Sequence, residues 1–146
     1  MLDRAAILDL IPHQGAMCLL DGVTAWSATA ILCHARSHLD PANPLRRQGR
    51  LSTVCGLEYA LQAAALHGAL LAGDPQPPGL LVALRNIIIR RPFLDDPAVG
   101  TLAVEAQMEH GDAAGLIYGF RLLAGNRDTL AEGRATVALP RRAGPA

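Results

Sequence analysis

The chain has 146 residues, of which 51% are hydrophobic, and its formal net charge at neutral pH is zero. This length and apolar content predict one folded domain with a sizeable core and exclude a disordered chain. Aromatic residues make up only 3% and basic residues are not in excess, so nucleic-acid binding is not expected. All 13 basic residues are arginine, which excludes a catalytic lysine.

The cysteines and the N-terminal run indicate the compartment. Cys18, Cys33 and Cys55 lie far apart in the sequence and show no metal-binding spacing, so neither a disulfide framework nor a metal site is expected. The opening run MLDRAAILDLIPH carries acidic residues and lacks the long apolar stretch of a secretion signal. We therefore predict a reducing, cytoplasmic setting.

The first fifty residues are predicted to form a short helix, two strands and a loop. Residues 3–10 can form a helix that ends before Pro12. Residues 17–26 and 28–36 are rich in apolar residues and predict two antiparallel strands. The segment 37–50, SHLDPANPLRRQGR, contains two prolines and several turn formers, which is typical of a loop.

Residues 51–72, LSTVCGLEYALQAAALHGALLA, predict one long buried helix that starts at a Ser52 cap and stops at Gly73. Its only charged residue is Glu58. A transmembrane span has a similar length, but Glu58 and Gln62 in mid-stretch are costly in lipid. No second apolar span exists in the sequence, so we do not expect this protein to cross a membrane.

The rest of the chain predicts strands joined by hairpin turns, followed by a loose tail over about 140–146. These four strands are predicted at residues 80–91, 101–109, 115–123 and 129–139. The order of two strands, one long helix and four strands predicts a single α+β domain over residues 1–146. In it, a curled antiparallel sheet of five to six strands would wrap around the central helix.

Glu58 is the first candidate for chemistry, because a carboxylate in an apolar interior needs a partner or a proton. Gln62 follows it by four residues on the same side of the helix and could donate a hydrogen bond to it. His67 falls on about the opposite side. His13, on a constrained turn after Pro12, is the best candidate partner, although a surface or capping role fits it equally well. A purely structural role for the buried carboxylate also stays open.

A histidine and a carboxylic acid can together remove the proton beside a carbonyl group and protonate a β-hydroxyl, which expels water. The start of the helix could supply N–H donors to the emerging enolate, and Gly56 would let a ligand approach closely. Cys55 offers the alternative of a nucleophilic thiolate near a helix start, or simply a small apolar residue. The remaining histidines are expected to be structural or solvated: His34, His38 and His110.

Three segments resemble, in the same order, those of hotdog-fold 3-hydroxyacyl-[acyl carrier protein] dehydratases. They are ILDLIPHQGAMCLLDGV, GLEYALQAAA and LRNIIIRRPFLDDPAVGTLAVEAQ. The resemblance covers about residues 7–139 and is strongest to the ApeP-like branch found with aryl polyene pigment clusters. It implies dehydration of a 3-hydroxyacyl thioester to the 2-enoyl thioester in fatty acid, aryl polyene or polyketide-type biosynthesis, without a metal or cofactor.

The resemblance also implies which residues act. The common dehydratases carry a histidine fourteen residues before the glutamate, and Pro44 occupies that position here. Glu58 matches the family's acid and Gln62 its supporting glutamine. The histidine of the opening Pro-His motif in the ApeP-like branch corresponds to His13. The N–H group of Gly56, or of a neighbour, would hold the thioester oxygen.

The family architecture further implies a dimer with sheets joined side by side, active sites at the subunit boundary and an acyl tunnel along the helix. The expected tunnel residues, which could equally be ordinary core residues, are Leu84, Ile87 and Ile89. Acyl carrier protein is acidic, so an arginine patch should receive it unless these arginines are simply solvated. The candidates are Arg46, Arg47, Arg50, Arg85, Arg90 and Arg91.

Two other functions stay open on this sequence. A hotdog thioesterase would use Glu58 to activate water and would not need His13. A non-catalytic acyl-binding or partner subunit is also compatible, because the usual histidine is replaced by Pro44.

Overall fold

The structure, a computed structural model, describes residues 2–140. Its two α-helices are α1 (Arg4–Leu8) and α2 (Gly56–Ala72). The strands are β1 (Leu2–Asp3), β2 (Gly22–Trp26), β3 (Ala30–Ala35), β4 (Leu80–Ile89), β5 (Leu102–Gly111), β6 (Gly115–Leu123) and β7 (Thr129–Ala138). They form one antiparallel sheet in the order β1-β2-β3-β5-β6-β7-β4. The α+β architecture is confirmed, and the short β1 brings the strand number above the predicted five to six. The tail from 141 onward lies outside the described residues.

The long helix ends where its sequence predicts but begins with a 3-10 turn, so that α2 itself starts at Gly56. Ser52 caps a 3-10 turn over Thr53–Cys55, where its hydroxyl accepts a hydrogen bond from the Val54 N–H at 3.3 Å, and α2 continues from this turn. Gly73 closes α2 in the left-handed conformation, with φ of 81°, and its N–H donates to the Ala69 carbonyl. This C-terminal geometry favours glycine, which has no Cβ.

The sheet covers α2 on one side and leaves one flank of the helix open. The covered side packs on β3, β5 and β6 and buries Tyr59, Ala63 and Leu66. Glu58, Leu61, Ala65, Gly68 and Leu71 lie on the other flank and are half-buried or exposed. The expectation of a helix buried on nearly every side is therefore wrong for this chain.

One helical segment, 53–72, has the length and mean hydropathy of a membrane span, but half of its apolar window is buried inside the fold. The core helix of a soluble domain shows the same combination, so this segment is weak evidence for a span.

β2 starts at Gly22, five residues later than the predicted strand. A 3-10 turn occupies Gly15–Met17 instead, and Cys18, Leu19 and Leu20 enter the core. The apolar run predicted as strand is thus buried without joining the sheet, because burial and strand pairing produce the same apolar pattern.

β4 forms one edge of the sheet and is unusually apolar on its exposed surface. Leu80 and Val82 are 71% and 60% exposed, and Leu84 and Ile88 are also exposed. The pairing with β7 shifts register twice, and Asn86, next to the second shift, has a positive φ of 54°. A long apolar edge strand tends to pair with another chain.

Candidate active site

The turn that carries His13 is held by side chains on either side of it. The Gln14 amide donates to the carbonyls of Leu8 and Ile11, at 2.8 and 3.3 Å, and ties the end of α1 to the turn. The Arg4 guanidinium donates to the carbonyls of Gly15 and Cys18, at 2.6 and 3.0 Å. Because these bonds fix the backbone before and after His13, the imidazole is presented from a defined position.

His13 and Glu58 meet in this structure. The His13 Nε2 lies 3.2 Å from the Glu58 Oε1, within hydrogen-bond reach. Glu58 belongs to the first turn of α2, whereas His13 lies more than forty residues earlier in the chain. The His13 Nδ1 is buried and has no hydrogen-bond partner among the described residues. The pair has the geometry that proton exchange between an imidazole and a carboxyl group requires.

The Glu58 side chain is not enclosed as the apolar sequence around it suggests. It is 34% exposed and His13 is 29% exposed, so both reach solvent through an opening. The reason is the open flank of α2, since Glu58 projects from the side that the sheet does not cover. The prediction of a carboxylate buried in the interior is therefore wrong, while its predicted proximity to His13 is present.

Gln62 lies one turn beyond Glu58 but does not contact its carboxylate. Its side chain is fully buried, its Oε1 accepts from the Leu19 N–H at 2.9 Å, and its Nε2 donates to the Met17 carbonyl at 2.7 Å. The expected hydrogen bond to Glu58 is replaced by two bonds to the backbone. Gln62 therefore fastens the segment after His13 onto the helix that carries Glu58.

Gly56 faces the core and not the cavity. A Cβ at this position would lie 2.2 Å from a Leu122 methyl group, which explains glycine here by close packing of helix on sheet. Its N–H already donates to the carbonyls of Thr53 and Val54. The expectation that Gly56 lets a ligand approach and donates to an oxyanion is therefore not met by this geometry.

A large cavity opens beside the His13–Glu58 pair. Its volume is about 1230 Å³, and it runs between α2, the Pro-rich segment 75–78 and the ends of β4–β7. Tyr118 lines it as well, and burial raises the pKa of this phenol to about 12. Apart from the pair, its walls are mainly aliphatic: Leu10, Leu61, Leu71, Leu81, Met108, Leu116 and Val137. Such a cavity suits a long apolar ligand whose reacting end lies at the pair.

The predicted tunnel residues do not line this cavity. Leu84 and Ile89 are exposed on the edge strand, and Ile87 packs against Ala60 and Phe120. Leu81 is the β4 residue that faces the cavity, together with the small residues of the open flank of α2. The two register shifts in β4 change which side chains point inward, and strand alternation in the sequence does not reveal such shifts.

Two of the candidate arginines stabilise the 37–50 loop. The Arg46 guanidinium is 15% exposed, lies 3.2 Å from the Asp95 carboxylate, and donates to the carbonyls of His38, Asp40 and Gly49. Arg50 stacks on Phe93 at 3.7 Å and also pairs with Asp95. Arg46 is therefore an internal anchor, which contradicts its expected role as a docking residue.

Asp95 gives a stability prediction. Partial burial opposes ionisation, but hydrogen bonds from the Leu51 N–H and from Arg50 outweigh it and lower the pKa of this carboxyl. A lowered pKa in the folded state stabilises the protein above the unfolded value of about 4, and this stabilisation is lost as the pH falls through the folded value. We expect Asp95→Asn to lower the free energy of unfolding at pH 7 by about 2–3 kcal/mol, because it leaves Arg46 without its counter-charge.

Urea unfolding at pH 7 and at decreasing pH measures this effect, which should shrink only as the pH falls through the lowered folded-state pKa of Asp95, where the wild-type carboxyl also becomes protonated. Glu132→Gln is the matched control, since it removes the more exposed ion pair with Arg90 and should change stability by less than about 1 kcal/mol. Equal effects of the two substitutions, or an Asp95→Asn effect that does not depend on pH, would contradict the assignment.

The other candidate arginines lie on the surface away from the cavity. Arg90 and Arg91 form exposed ion pairs with Glu132 and Asp128, at 3.4 and 3.3 Å. Arg47 and Arg85 are exposed. None of the six candidate arginines lines the cavity.

The remaining histidines and cysteines have structural settings. His67 is fully buried between the Tyr118 hydroxyl, at 2.6 Å, and the Ser27 carbonyl, at 2.8 Å. Burial lowers the pKa of His38, which bonds the Gly100 carbonyl, and raises the pKa of the Cys33 thiol to about 12. Cys55 lies against the Leu45 carbonyl, outside the cavity. Within residues 2–140, no three His, Cys, Asp or Glu side chains cluster as metal ligands do.

The family model described as ApeP-like, ApeP dehydratase, matches residues 5–145. The chain belongs to the ApeP-like dehydratase family. No curated protein matches the chain in sequence.

Solved structures show the same fold. A chain of the dehydratase heterocomplex ApeI:P from Xenorhabdus doucetiae superimposes with a TM-score of 0.81 at 17% identity, over 93% of this chain and 91% of that one. A thioesterase from Haemophilus influenzae gives a TM-score of 0.61 at 13% identity, over 82% of this chain and 78% of that one. AziG from S. sahachiroi gives 0.61 at 15% identity, over 82% and 90%. The predicted hotdog fold is confirmed, and the ApeP-like chain shares it with both dehydratases and thioesterases.

Sequence reasoning missed the residues that hold the pair and shape the cavity. Gln14 bonds carbonyls three and six residues before it, and Arg4 bonds carbonyls eleven and fourteen residues after it, in irregular backbone that no periodic pattern marks. The open flank of α2 did leave a signal: its small residues Ala64, Ala65, Gly68 and Ala72 recur at spacings of three and four.

Proposed function

We propose that this protein dehydrates a 3-hydroxyacyl thioester, carried by acyl carrier protein, to the 2-enoyl thioester in the cytoplasm. The observation that carries the proposal is the 3.2 Å contact between His13 and Glu58 at one end of a long aliphatic cavity. Membership of the ApeP-like dehydratase family supports the reaction class. The aryl polyene or fatty acid setting, the carrier and the acyl group follow from the resemblance and belong to the proposal.

The reaction needs one base and one acid close together. A neutral His13 takes the proton from C2, the electron pair forms the C2–C3 double bond, and the C3–O bond breaks. Glu58, in its protonated form, gives its proton to the departing hydroxyl group, which leaves as water. His13 is then protonated and Glu58 ionised, and a proton moving across their 3.2 Å contact restores both groups.

The thioester oxygen needs hydrogen-bond donors when charge develops on it. Gly56 does not supply one in this chain, because its N–H is engaged with Thr53 and Val54. We therefore propose a reaction carried by His13 and Glu58, with Gln62 in a positioning role.

The test offers the purified protein a 3-hydroxyacyl thioester and the plain acyl thioester of equal length, both on acyl carrier protein. We expect 2-enoyl product from the first and no free thiol from either. Thiol release from the plain thioester would show a thioesterase. Product that forms only after a second hotdog subunit is added would show that this chain is a partner subunit.

We further propose that two hotdog subunits join side by side through β4, most simply as a homodimer. The apolar surface of β4 supports this, and Leu81 connects that edge with the open cavity, which a second subunit would then close. The relative found in a dehydratase heterocomplex makes a second type of hotdog subunit the alternative partner.

Light scattering tests the homodimer. We expect twice the chain mass for the wild type and a shift to the monomer mass for Val82→Lys, because a charge on an exposed edge strand opposes pairing. Gln107→Lys, on an exposed site of the central strand β5, is the matched control and should stay dimeric. A monomeric wild type that becomes a dimer only with a different hotdog subunit would replace the homodimer with a heterodimer.

A further inference from the structure

Gly68 is a glycine that the fold itself does not require. It lies well inside the 17-residue helix α2, where glycine is less favourable than alanine. A Cβ at this position would meet no atom of residues 2–140 within 4 Å. Gly56, in the same helix, shows the contrast, because its missing Cβ makes room for Leu122. Packing therefore explains Gly56 but not Gly68.

Gly68 lines the cavity. The flank of α2 that lines the cavity extends from Glu58 to Ala72 and includes Gly68. Gly68 follows Glu58 by ten residues, which places it about 15 Å farther along the helix axis, at 1.5 Å per residue. The neighbouring wall residues of α2 are also small, namely Ala64, Ala65 and Ala72. The cavity is thus kept wide well beyond the reacting pair.

We propose that Gly68 sets the acyl chain length that this site accepts, and that the substrate carries a long, apolar acyl chain that runs along α2 across Gly68. This inference rests on the proposed function, since it takes C3 of the substrate to lie at Glu58. An extended chain advances about 1.2 Å per bond, so 15 Å corresponds to about twelve bonds beyond C3. A short acyl chain ends far from Gly68, whereas a chain of about sixteen carbons passes over it.

The aliphatic residues that line the cavity together with Gly68 support this substrate class. Leu116 and Val137 of the sheet and Pro77 of the linker face the same cavity. Removing an apolar chain from water against such walls is favourable along its whole length. Charged groups lining the cavity are confined to the His13–Glu58 end among the described residues, so a charged chain would gain no ionic partner farther in. The other polar side chains of the wall are Tyr118, whose hydroxyl is bonded to His67, and Gln76 of the linker.

The experiment compares Gly68→Phe with the matched control Gly68→Ala. Each variant receives a four-carbon and a sixteen-carbon 3-hydroxyacyl thioester on the same carrier. For Gly68→Phe we expect kcat/KM to fall at least about tenfold for the long substrate and to stay within about twofold for the short one. Gly68→Ala should keep the wild-type preference and raise Tm by about 2–4 °C, since alanine favours the helix and its methyl group has space.

Binding separates this inference from the proposed reaction. Calorimetry with saturated four-carbon and sixteen-carbon acyl pantetheines should show tighter binding of the long chain to the wild type, and Gly68→Phe should abolish that difference. Equal losses for both lengths in a variant with unchanged Tm, or no loss for either, would overturn the inference. If Gly68→Phe unfolds, Gly68→Leu replaces it under the same criteria. A wild type that binds the long chain but forms no enoyl product would refute the reaction and leave the inference standing.

Discussion

Glu58→Gln is expected to lower kcat for dehydration by about 10²–10⁴-fold, the usual contribution of a positioned general acid. Glutamine has nearly the shape of glutamate but has no acidic proton to give to the departing hydroxyl group. The side chain is one-third exposed and its ionic partner among the described residues is His13, so the substitution should leave Tm nearly unchanged. Steady-state formation of the 2-enoyl thioester measures the loss.

Glu132→Gln provides the matched control, because it makes the same chemical change in an ion pair on the outer surface. It should retain the wild-type rate. A folded Glu58→Gln protein that dehydrates as fast as the wild type would remove the proposed mechanism, whatever the family resemblance.

His13→Ala tests the second half of the pair. It should also lower kcat by about 10²–10⁴-fold, and the double variant His13→Ala/Glu58→Gln should be hardly slower than either single one. When two groups act in the same step, removing either one abolishes most of the rate gain in that step. Removing both then adds little further loss, so the two fold-losses in kcat do not multiply. His110→Ala, which removes an exposed histidine paired with Asp112, is the control. Losses that multiply would indicate two independent functions.

Gln62→Leu is expected to lower both stability and rate. Leucine fills a similar space but leaves the buried Leu19 N–H without its partner, which costs about 1–3 kcal/mol, and removes the part-buried bond to the Met17 carbonyl, which costs less because water can reach that group. The segment after His13 would then lose its connection to α2. A displacement of about 1 Å of a catalytic group can lower kcat by about 100-fold.

The rate effect distinguishes positioning from mere destabilisation. At a temperature where Gln62→Leu remains folded, we expect kcat to fall while KM changes by less than about threefold, because the cavity walls are untouched. Gln107→Leu changes an exposed glutamine on β5 and should alter neither stability nor kcat. A folded Gln62→Leu protein with wild-type kcat would reduce Gln62 to a structural residue.

The elements of this fold were largely predictable because each leaves a local pattern. The helix-forming run with a glycine after it predicted the C-terminal end of α2 to the residue, whereas the residues after the Ser52 cap form a 3-10 turn and α2 itself begins at Gly56. β6 was predicted with its observed limits, Gly115–Leu123, because turn-forming residues mark both of its ends. β2 was predicted too long, since Met17 and Leu19 are held by Gln62 and not by a neighbouring strand.

The site was predictable only in part. The Pro-His turn and the single acid of the helix predicted His13 and Glu58 as the candidate residues, and the family resemblance predicted that they act together. In the structure the two side chains lie 3.2 Å apart. The cavity lining was wrong at Leu84, Ile87 and Ile89, because register shifts within β4 decide which residues face inward. Arg46 was assigned to a partner although it anchors its own loop through Asp95, a contact across 49 positions.

The sequence by itself determined the kinds of elements, their order and the two groups able to exchange protons, because helix periodicity, turn residues and side-chain chemistry are local properties. Only the tertiary structure decided that one flank of α2 is open, that Glu58 reaches solvent there and that Gln62 holds the backbone after His13. The physical reason is that the sheet packs on α2 through β3, β5 and β6, while β4 lies at the far edge beyond β7. Which side of a helix remains uncovered depends on this arrangement of distant strands, and no single segment encodes it.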